Sequence, residues 1–200
     1  SDSFSVITEN KEGWGILEKI SEHPKLKNIG SIQNLRGELD LTFNKSFITE
    51  NETLYPLLRG VNIGEFNYKL GRLFVDEKFV YGLNGKQKYL KIERLVCQQI
   101  SNIHAHKRLK FTKVPANIVL GNSCNFLCKQ EDLFGNDNIT LDYLLGILNS
   151  LLMDWRFKTT NSNNHISNYE LAELPIVIPS KKQRGLIEEL VEKIRENNTW

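Results

Sequence analysis

The chain has 200 residues, of which 40% are hydrophobic and 25% charged, an ordinary globular composition of a length that suits one generous domain and buries roughly 70% of the unfolded surface without staples. No apolar run approaches the ~18 residues of a membrane span and no signal-peptide pattern opens the chain. Three cysteines (Cys97, Cys124 and Cys128) and a formal net charge of +2 argue against a disulfide framework and for a reducing, cytoplasmic setting.

The chain opens on Ser1 and Asp2 without a methionine, as expected of a piece of a larger polypeptide or a processed form. In "EGWGILEKISEH", Trp14, Leu17 and Ile20 fall near helical spacing, and Pro24 stops the helix. "SIQNLRGELDLTFNKSFIT" reads as short strands broken by turns at Arg36-Gly37 and Asn44-Lys45. From Leu70 to Ser101 apolar and polar positions alternate, and Asn84-Gly85 predicts a β-hairpin turn. "ANIVLGNSCNFLC", after Pro115, is again β-rich.

The period then changes. "NITLDYLLGILNSLLMDWRF" places Leu141, Leu144, Leu145, Leu148, Leu151 and Leu152 on one helical stripe, with Asn138 or Thr140 as the N-cap. After Pro179, Leu186, Ile187, Leu190, Val191 and Ile194 recur at three- and four-residue intervals. They predict a C-terminal amphipathic helix, residues 180–200, that packs on this domain or a neighbouring one. The expected fold class is α+β: a largely antiparallel sheet over residues 1–179, flanked by helices.

Local motifs for catalysis are missing. The five prolines are never adjacent, so the Asn/Asp-Pro-Pro-aromatic loop of an adenine methyltransferase is absent. Gly13-Trp14-Gly15 follows no clear strand, so it is no dinucleotide turn. Glu9-Asn10-Lys11 has the second half of a nuclease metal motif, but only Asp2 lies upstream, and we read it as a chance match. Cys124 and Cys128 have a spacing zinc permits, and His104 and His106 lie nearby. Rings on alternate residues of a strand point to opposite faces, and the neighbouring cations disfavour a dication. The thiols read as buried free cysteines, with no metal site and no cofactor in this chain. No Ser/His/Asp set is recognisable by local motif.

Charge distribution says more. Residues 1–67 carry 7 basic and 10 acidic side chains, residues 68–130 carry 12 and 3, and residues 131–200 carry 7 and 11. Such a basic block is a footprint for a polyanion, or else a solvated face without a partner. The DNA-binding candidates it supplies are Lys86 and Lys88 beside the expected hairpin, then His104, His106, Lys107, Arg108, Lys110 and Lys113. Arg108 is the candidate base reader, because a planar guanidinium matches guanine better than an ammonium does.

A second cluster, "NSNNHISNYELAELP" from Asn161 to Pro175, crowds small hydrogen-bonding side chains together. Ser167-Asn168-Tyr169-Glu170 fits a capping box, and Ser167 is assigned to the cap with Ile166 and Leu171 packing the helix start. Asn161, Asn163 and Asn164 are candidates for DNA contact or for loop self-satisfaction, since an amide serves either. His165 reads as packed or capping rather than base-reading.

Five stretches in order carry a resemblance: "RGELDLTFNKSFIT", "LYPLLRGVNIGEF", "LVCQQISNIHAHKRLKFTKVPANIVLGNSCNFL", "LDYLLGILNSLLMDW" and "NNHISNYELAELPIVIPSKKQ". Together they resemble the TaqI-like C-terminal specificity domain of restriction-modification adenine methyltransferases, over roughly residues 12–185. The closing "ELPIVIPSKKQ" is also similar to the end of recognition domains in type I specificity subunits. One departure is that a Gly-x-x-Thr-Gly-type turn of many relatives is replaced here by Gly37-Glu38-Leu39-Asp40-Leu41. The two carboxylates there could accept from cytosine amino groups or repel phosphate.

The resemblance implies a target-recognition domain that reads a short sequence in double-stranded DNA. The chemistry would sit in an N-terminal methyltransferase domain of the same polypeptide, sometimes with a nuclease. S-adenosylmethionine and Mg would then belong to those other domains. The alternatives are a divergent catalytic fragment of a nuclease or methyltransferase, and a subunit-coupling module that does not touch DNA.

Overall fold

The structure is a computed structural model and describes residues 11–130 and 138–197. Glu9 and Asn10 of the nuclease-like triplet, and residues 198–200 of the expected C-terminal helix, lie outside the described residues. The described chain begins with α1 (Lys11–Ser21) and a 3-10 turn at Leu26–Asn28, then enters β1 (Ile32–Arg36). β2 (Ile48–Thr49), β3 (Leu57–Leu58) and β4 (Phe74–Val75) are short, and α2 (Glu77–Tyr81) follows. β5 (Arg94–Gln98), β6 (Phe111–Val114), β7 (Val119–Leu120) and β8 (Cys124–Lys129) complete the β region. The helices α3 (Leu141–Leu148), α4 (Leu151–Thr160), α5 (Asn168–Ala172) and α6 (Lys181–Asn197) close the described chain.

The main sheet has four antiparallel strands in the order β1-β8-β5-β6. β2 pairs antiparallel with β4, and β3 parallel with β7. This is the α+β architecture expected from the sequence, with helices covering one face of the sheet.

That sheet is buried on both faces. Along β5, Leu95 and Cys97 enter one core cluster while Val96 enters another, as period-two side chains must. Leu127 of β8 joins the first, whereas Cys124, Phe126 and Cys128 join the second. The first cluster lies against α3–α5, through Tyr143, Leu144, Leu145, Leu148, Phe157 and Leu171. Full burial of a side chain such as Leu144 stabilises the fold by about 1.5–3 kcal/mol. A third cluster, containing Leu39, Leu57, Val75, Phe79, Val80 and Leu90, sits under β2, β4 and α2.

The structure corrects two local expectations. Asn84 and Gly85 do adopt positive φ, 44° and 88°, but they join α2 to a 3-10 turn at Lys86–Lys91 and make no hairpin. Asp76 caps α2 by accepting from the Lys78 amide at 2.8 Å, and Phe79, Val80 and Leu83 turn into the third cluster at helical spacing. The cap and that spacing outweigh the local turn signal.

The leucine stripe, likewise, is two helices. Asn149 leaves the helix to bond the backbone of Phe111 (Oδ1 accepts at 2.8 Å, Nδ2 donates at 2.9 Å). Ser150 then starts α4 by accepting from the Met153 amide. Leu151 and Leu152 are therefore exposed rather than on the stripe. Thr140 is the N-cap of α3, accepting from the Tyr143 amide at 3.1 Å.

α6 packs Ile187 and Val191 over Gly146 of α3, where even an added Cβ would lie 2.6 Å from Ile187. Leu186, Leu190 and Ile194 remain exposed. No described helix is long and apolar enough to cross a membrane.

Candidate nucleic-acid interface

Antiparallel pairing gathers loops at one end of the main sheet. β1 ends there at Arg36, β8 begins at Cys124, β5 ends at Gln98 and β6 begins at Phe111. Close backbone approaches fuse the loops into one rim. Gly37 lies so near Gly121 that an added Cβ would be 2.1 Å from its carbonyl oxygen, and Leu39 bridges Gly121. A Cβ on Gly60 would lie 2.6 Å from the Ser123 carbonyl. Ser123 Oγ accepts from the Gly60 amide at 2.9 Å, and its carbonyl accepts from the Gln99 amide at 2.8 Å. Farther along, the Asn164 carbonyl accepts from the Ser101 amide, and Ile100 bridges His165. The rim thus runs from residues 37–44 through 121–123, 60–62 and 99–106 to 163–165.

The Asn-rich block divides in two. Asn161 is 5% exposed: Nδ2 donates to the His165 carbonyl at 2.7 Å and to the Glu170 carboxylate, and Oδ1 accepts from Arg108. It is a structural hub and does not face the rim. Asn163 and Asn164 are exposed. Their Oδ1 atoms accept from the His165 and Ile103 amides at 2.7 and 2.9 Å. Their Nδ2 groups have no protein acceptor among the described residues and face solvent. Ser167 is the N-cap of α5, in a capping box with Glu170 at N3. His165, expected to pack or cap, is engaged only through its backbone, and its side chain is exposed.

The basic cluster is largely internal. Arg108, the expected base reader, is fully buried. It donates to Asn161 Oδ1 and to the Asn163 carbonyl, both at 2.5 Å, and lies over the Phe157 ring at 5.1 Å. Burial pushes its guanidinium pKa down, against the Glu170 and Asp154 carboxylates that raise it. The structure corrects that assignment: a group enclosed on all sides reaches no base. Lys107 is also buried, held by Glu65 and the Asn149 carbonyl. Lys113 pairs with Asp142 at 2.8 Å and Glu93 at 3.7 Å, and Lys110 is half-buried. Glu65 and Asp142 come from outside the basic stretch, so a block that is basic along the chain is partly neutralised in space.

His104 and His106 are exposed on the rim. Lys86 and Lys88 are exposed too, but on the 3-10 turn preceding β5. That puts them at the opposite end of the sheet from His104, Asn163 and Asn164. The eleven candidates therefore do not form one surface.

The cysteines are free and buried. Burial raises the thiol pKa of Cys124 to about 12 and of Cys128 to about 11. The histidines are exposed while the cysteines are buried, and among the described residues no group of three or more His, Cys, Asp or Glu could hold a metal ion.

Both carboxylates of the departing turn are committed inside the protein. Glu38 pairs with buried Arg94 at 3.1 Å and accepts from the Leu120 amide. Asp40 accepts from the Thr42 and Phe43 amides and from Asn122 Nδ2. Sequence reasoning missed what this turn presents: Arg36, whose Nε donates to the Asn122 carbonyl at 3.0 Å, and Phe43, 86% exposed. Nothing in "LDLTFNK" separates this phenylalanine from a core residue such as Leu39.

No curated protein matches the chain by sequence. Among solved structures, it is similar to a chain from a study of complex assembly and conformational transition of the type I R-M system. There the TM-score is 0.55 at 10% identity, over 87% of this chain and 38% of that one. The HsdS subunit from Thermoanaerobacter tengcongensis gives 0.51 at 11% identity, over 92% and 43%. The type IIG restriction endonuclease BpuSI gives 0.54 at 11%, over 92% and 28%. The chain thus spans less than half the length of these structures, with which it shares a fold. A family model, the TaqI-like C-terminal specificity domain, matches residues 55–176, narrower than the 12–185 over which the motifs run. On that match, which covers more than half of the sequence, the chain belongs to the TaqI-like C-terminal specificity domains of restriction-modification systems.

Proposed function

We propose that the chain reads a short sequence in double-stranded DNA through the loop rim at the Arg36–Gln98 end of its sheet, so that a DNA adenine methyltransferase acts there. The observation that carries this reading is the rim itself. It presents the unpaired Asn163 and Asn164 amide donors, the imidazoles of His104 and His106, and Arg36 with Lys45, while nearby Glu38, Asp40 and Glu65 are tied into internal bonds. Amide and guanidinium donors suit phosphate oxygens and base-edge acceptors.

The methyltransferase would precede residues 1–179 on the same polypeptide and would supply S-adenosylmethionine chemistry, with Mg wherever a nuclease is also fused. The exposed Leu186, Leu190 and Ile194 of α6 are a face for that neighbouring domain. In the reading frame upstream, an Asn-Pro-Pro-aromatic motif is expected.

Binding of the chain to duplex DNA, without metal or S-adenosylmethionine, tests the reading. Neutralising ~5 phosphates gives a log–log salt slope of about −4 to −5. Affinity that does not change between 50 and 200 mM salt would remove DNA as the ligand.

A further inference from the structure

Phe43 and Val61 are the two most exposed large hydrophobic side chains among the described residues, 86% and 82%. They stand 18 residues apart on two different loops, which meet at Asn122-Ser123. The loop of Phe43 is joined to that turn by the Asn122 Nδ2 donation to Asp40 Oδ2 at 2.7 Å. The loop of Val61 is joined through the Gly60 amide and Ser123 Oγ.

The Phe43 loop is rigidly built. Asp40 Oδ1 accepts from the Thr42 amide at 2.9 Å and the Phe43 amide at 3.0 Å. Asn44 Oδ1 accepts from the Asp40 amide, and the Asn44 amide donates back to the Asp40 carbonyl at 2.9 Å. Those amides hold the Asp40 carboxyl below the usual carboxylate range, the Phe43 amide being the largest cause. An exposed phenyl ring on a loop so thoroughly bonded is presented, because the loop has few ways left to fold the ring back.

Its surroundings carry a net positive charge. Exposed Arg36 and Lys45 flank the loop, and the ionised carboxylate of Asp40 between them is turned onto the loop's own amides. An apolar ring flanked by cations, at the tip of a rim of amide donors, matches a base stack bordered by phosphates.

We propose that Phe43 is a wedge that enters a base step of bound duplex DNA and stacks on an unstacked nucleobase, with Val61 against the same step. This rests on the DNA reading above and deepens it. The ring supplies stacking area without hydrogen-bond information, so it fixes where the duplex is opened while the amides of the rim fix register.

The probe is a duplex selected by the chain from a random-sequence pool, with 2-aminopurine substituted at successive positions. Wild-type chain should raise 2-aminopurine fluorescence at one step. Phe43→Ala should abolish the rise and weaken binding about 5- to 150-fold, the range of one base–aromatic stack. Phe43→Trp should restore both, with its indole emission quenched on binding. Since the ring is exposed, the melting temperature of Phe43→Ala should match wild type, so a loss of binding is not a loss of fold. Wild-type affinity and signal in Phe43→Ala would overturn the wedge and leave the DNA reading standing. Absence of salt-dependent binding by the wild-type chain would overturn both. A Phe43→Ala chain that binds DNA normally but loses assembly with the methyltransferase domain would make the ring a protein contact instead.

Discussion

Replacing Arg108 with alanine should unfold the protein sooner and should not selectively erase the reading of one base. The guanidinium is fully buried and supplies donors to Asn161 Oδ1 and to the Asn163 carbonyl, and it covers the Phe157 ring. Truncation leaves two acceptors short of a charged donor, at about 1–3 kcal/mol each, and opens space against Phe157. Relief from holding a desolvated cation offsets part of this, so a net loss of about 3–5 kcal/mol is expected, the range for breaking a buried charged contact. For a chain of this length each kcal/mol moves the melting temperature by about 2–4 °C, so Arg108→Ala should melt roughly 6–20 °C lower. Arg108→Met, which keeps the stem over Phe157, should recover part of that. Thermal unfolding by circular dichroism gives the shift. DNA affinity measured well below both midpoints, on selected and scrambled duplexes, should fall about equally on the two. A variant that melts with wild type but loses only the selected duplex would show that Arg108 faces DNA, and the reasoning from burial would be wrong.

Ser167→Ala removes the cap that accepts from the Glu170 amide and should cost about 1 kcal/mol in thermal unfolding; an unchanged midpoint would mean that the Glu170 half of the box suffices. Asn164→Ala loses the acceptor for the Ile103 amide and should cost about 0.5–1.5 kcal/mol while also weakening DNA binding, whereas an effect on melting alone would make the residue a structural turn. Arg94→Ala strands Glu38 in the interior and should cost about 3–5 kcal/mol, measurable as a denaturant midpoint shift; parity with wild type would show the pair to be dispensable. Asp40 has a folded pKa below its ordinary value, so the bonds of its loop are fully stabilising above about pH 4 and are lost as pH falls through the lower folded value. The Thr42 and Phe43 amide resonances should therefore titrate with a midpoint below ~3.9, and one at or above it would refute the assigned bonds.

Legible in the sequence were the fold class, the capping box at Ser167, the terminal helix and the family, and the α3 cap was narrowed to Asn138 or Thr140 before the fold chose Thr140. Those signals are periodic or local: a stripe of apolar residues, a Ser-x-x-Glu spacing, an ordered series of motifs. It also marked the turn at Asn84-Gly85, but which elements the turn joins was settled by Phe79, Val80 and Leu83 finding a core that no local window contains. The leucine stripe broke for the same reason, since Asn149 bonds to Phe111, which lies 38 residues away.

The candidate site depended most on tertiary structure. Charge along a chain is additive, but charge in space depends on which acids fold beside it, and Glu65, Asp142 and Asp154 come from outside the basic stretch. Burial likewise moved Arg108 and Asn161 from surface candidates to partners of each other. The rim that remained was assembled by antiparallel register, which set residues 37–44, 99–106 and 121–123 at one end of the main sheet, and by hydrogen bonds that tie residues 60–62 and 163–165 to them. An exposed phenylalanine is indistinguishable from a core one in the sequence; only packing decided that Phe43 faces solvent.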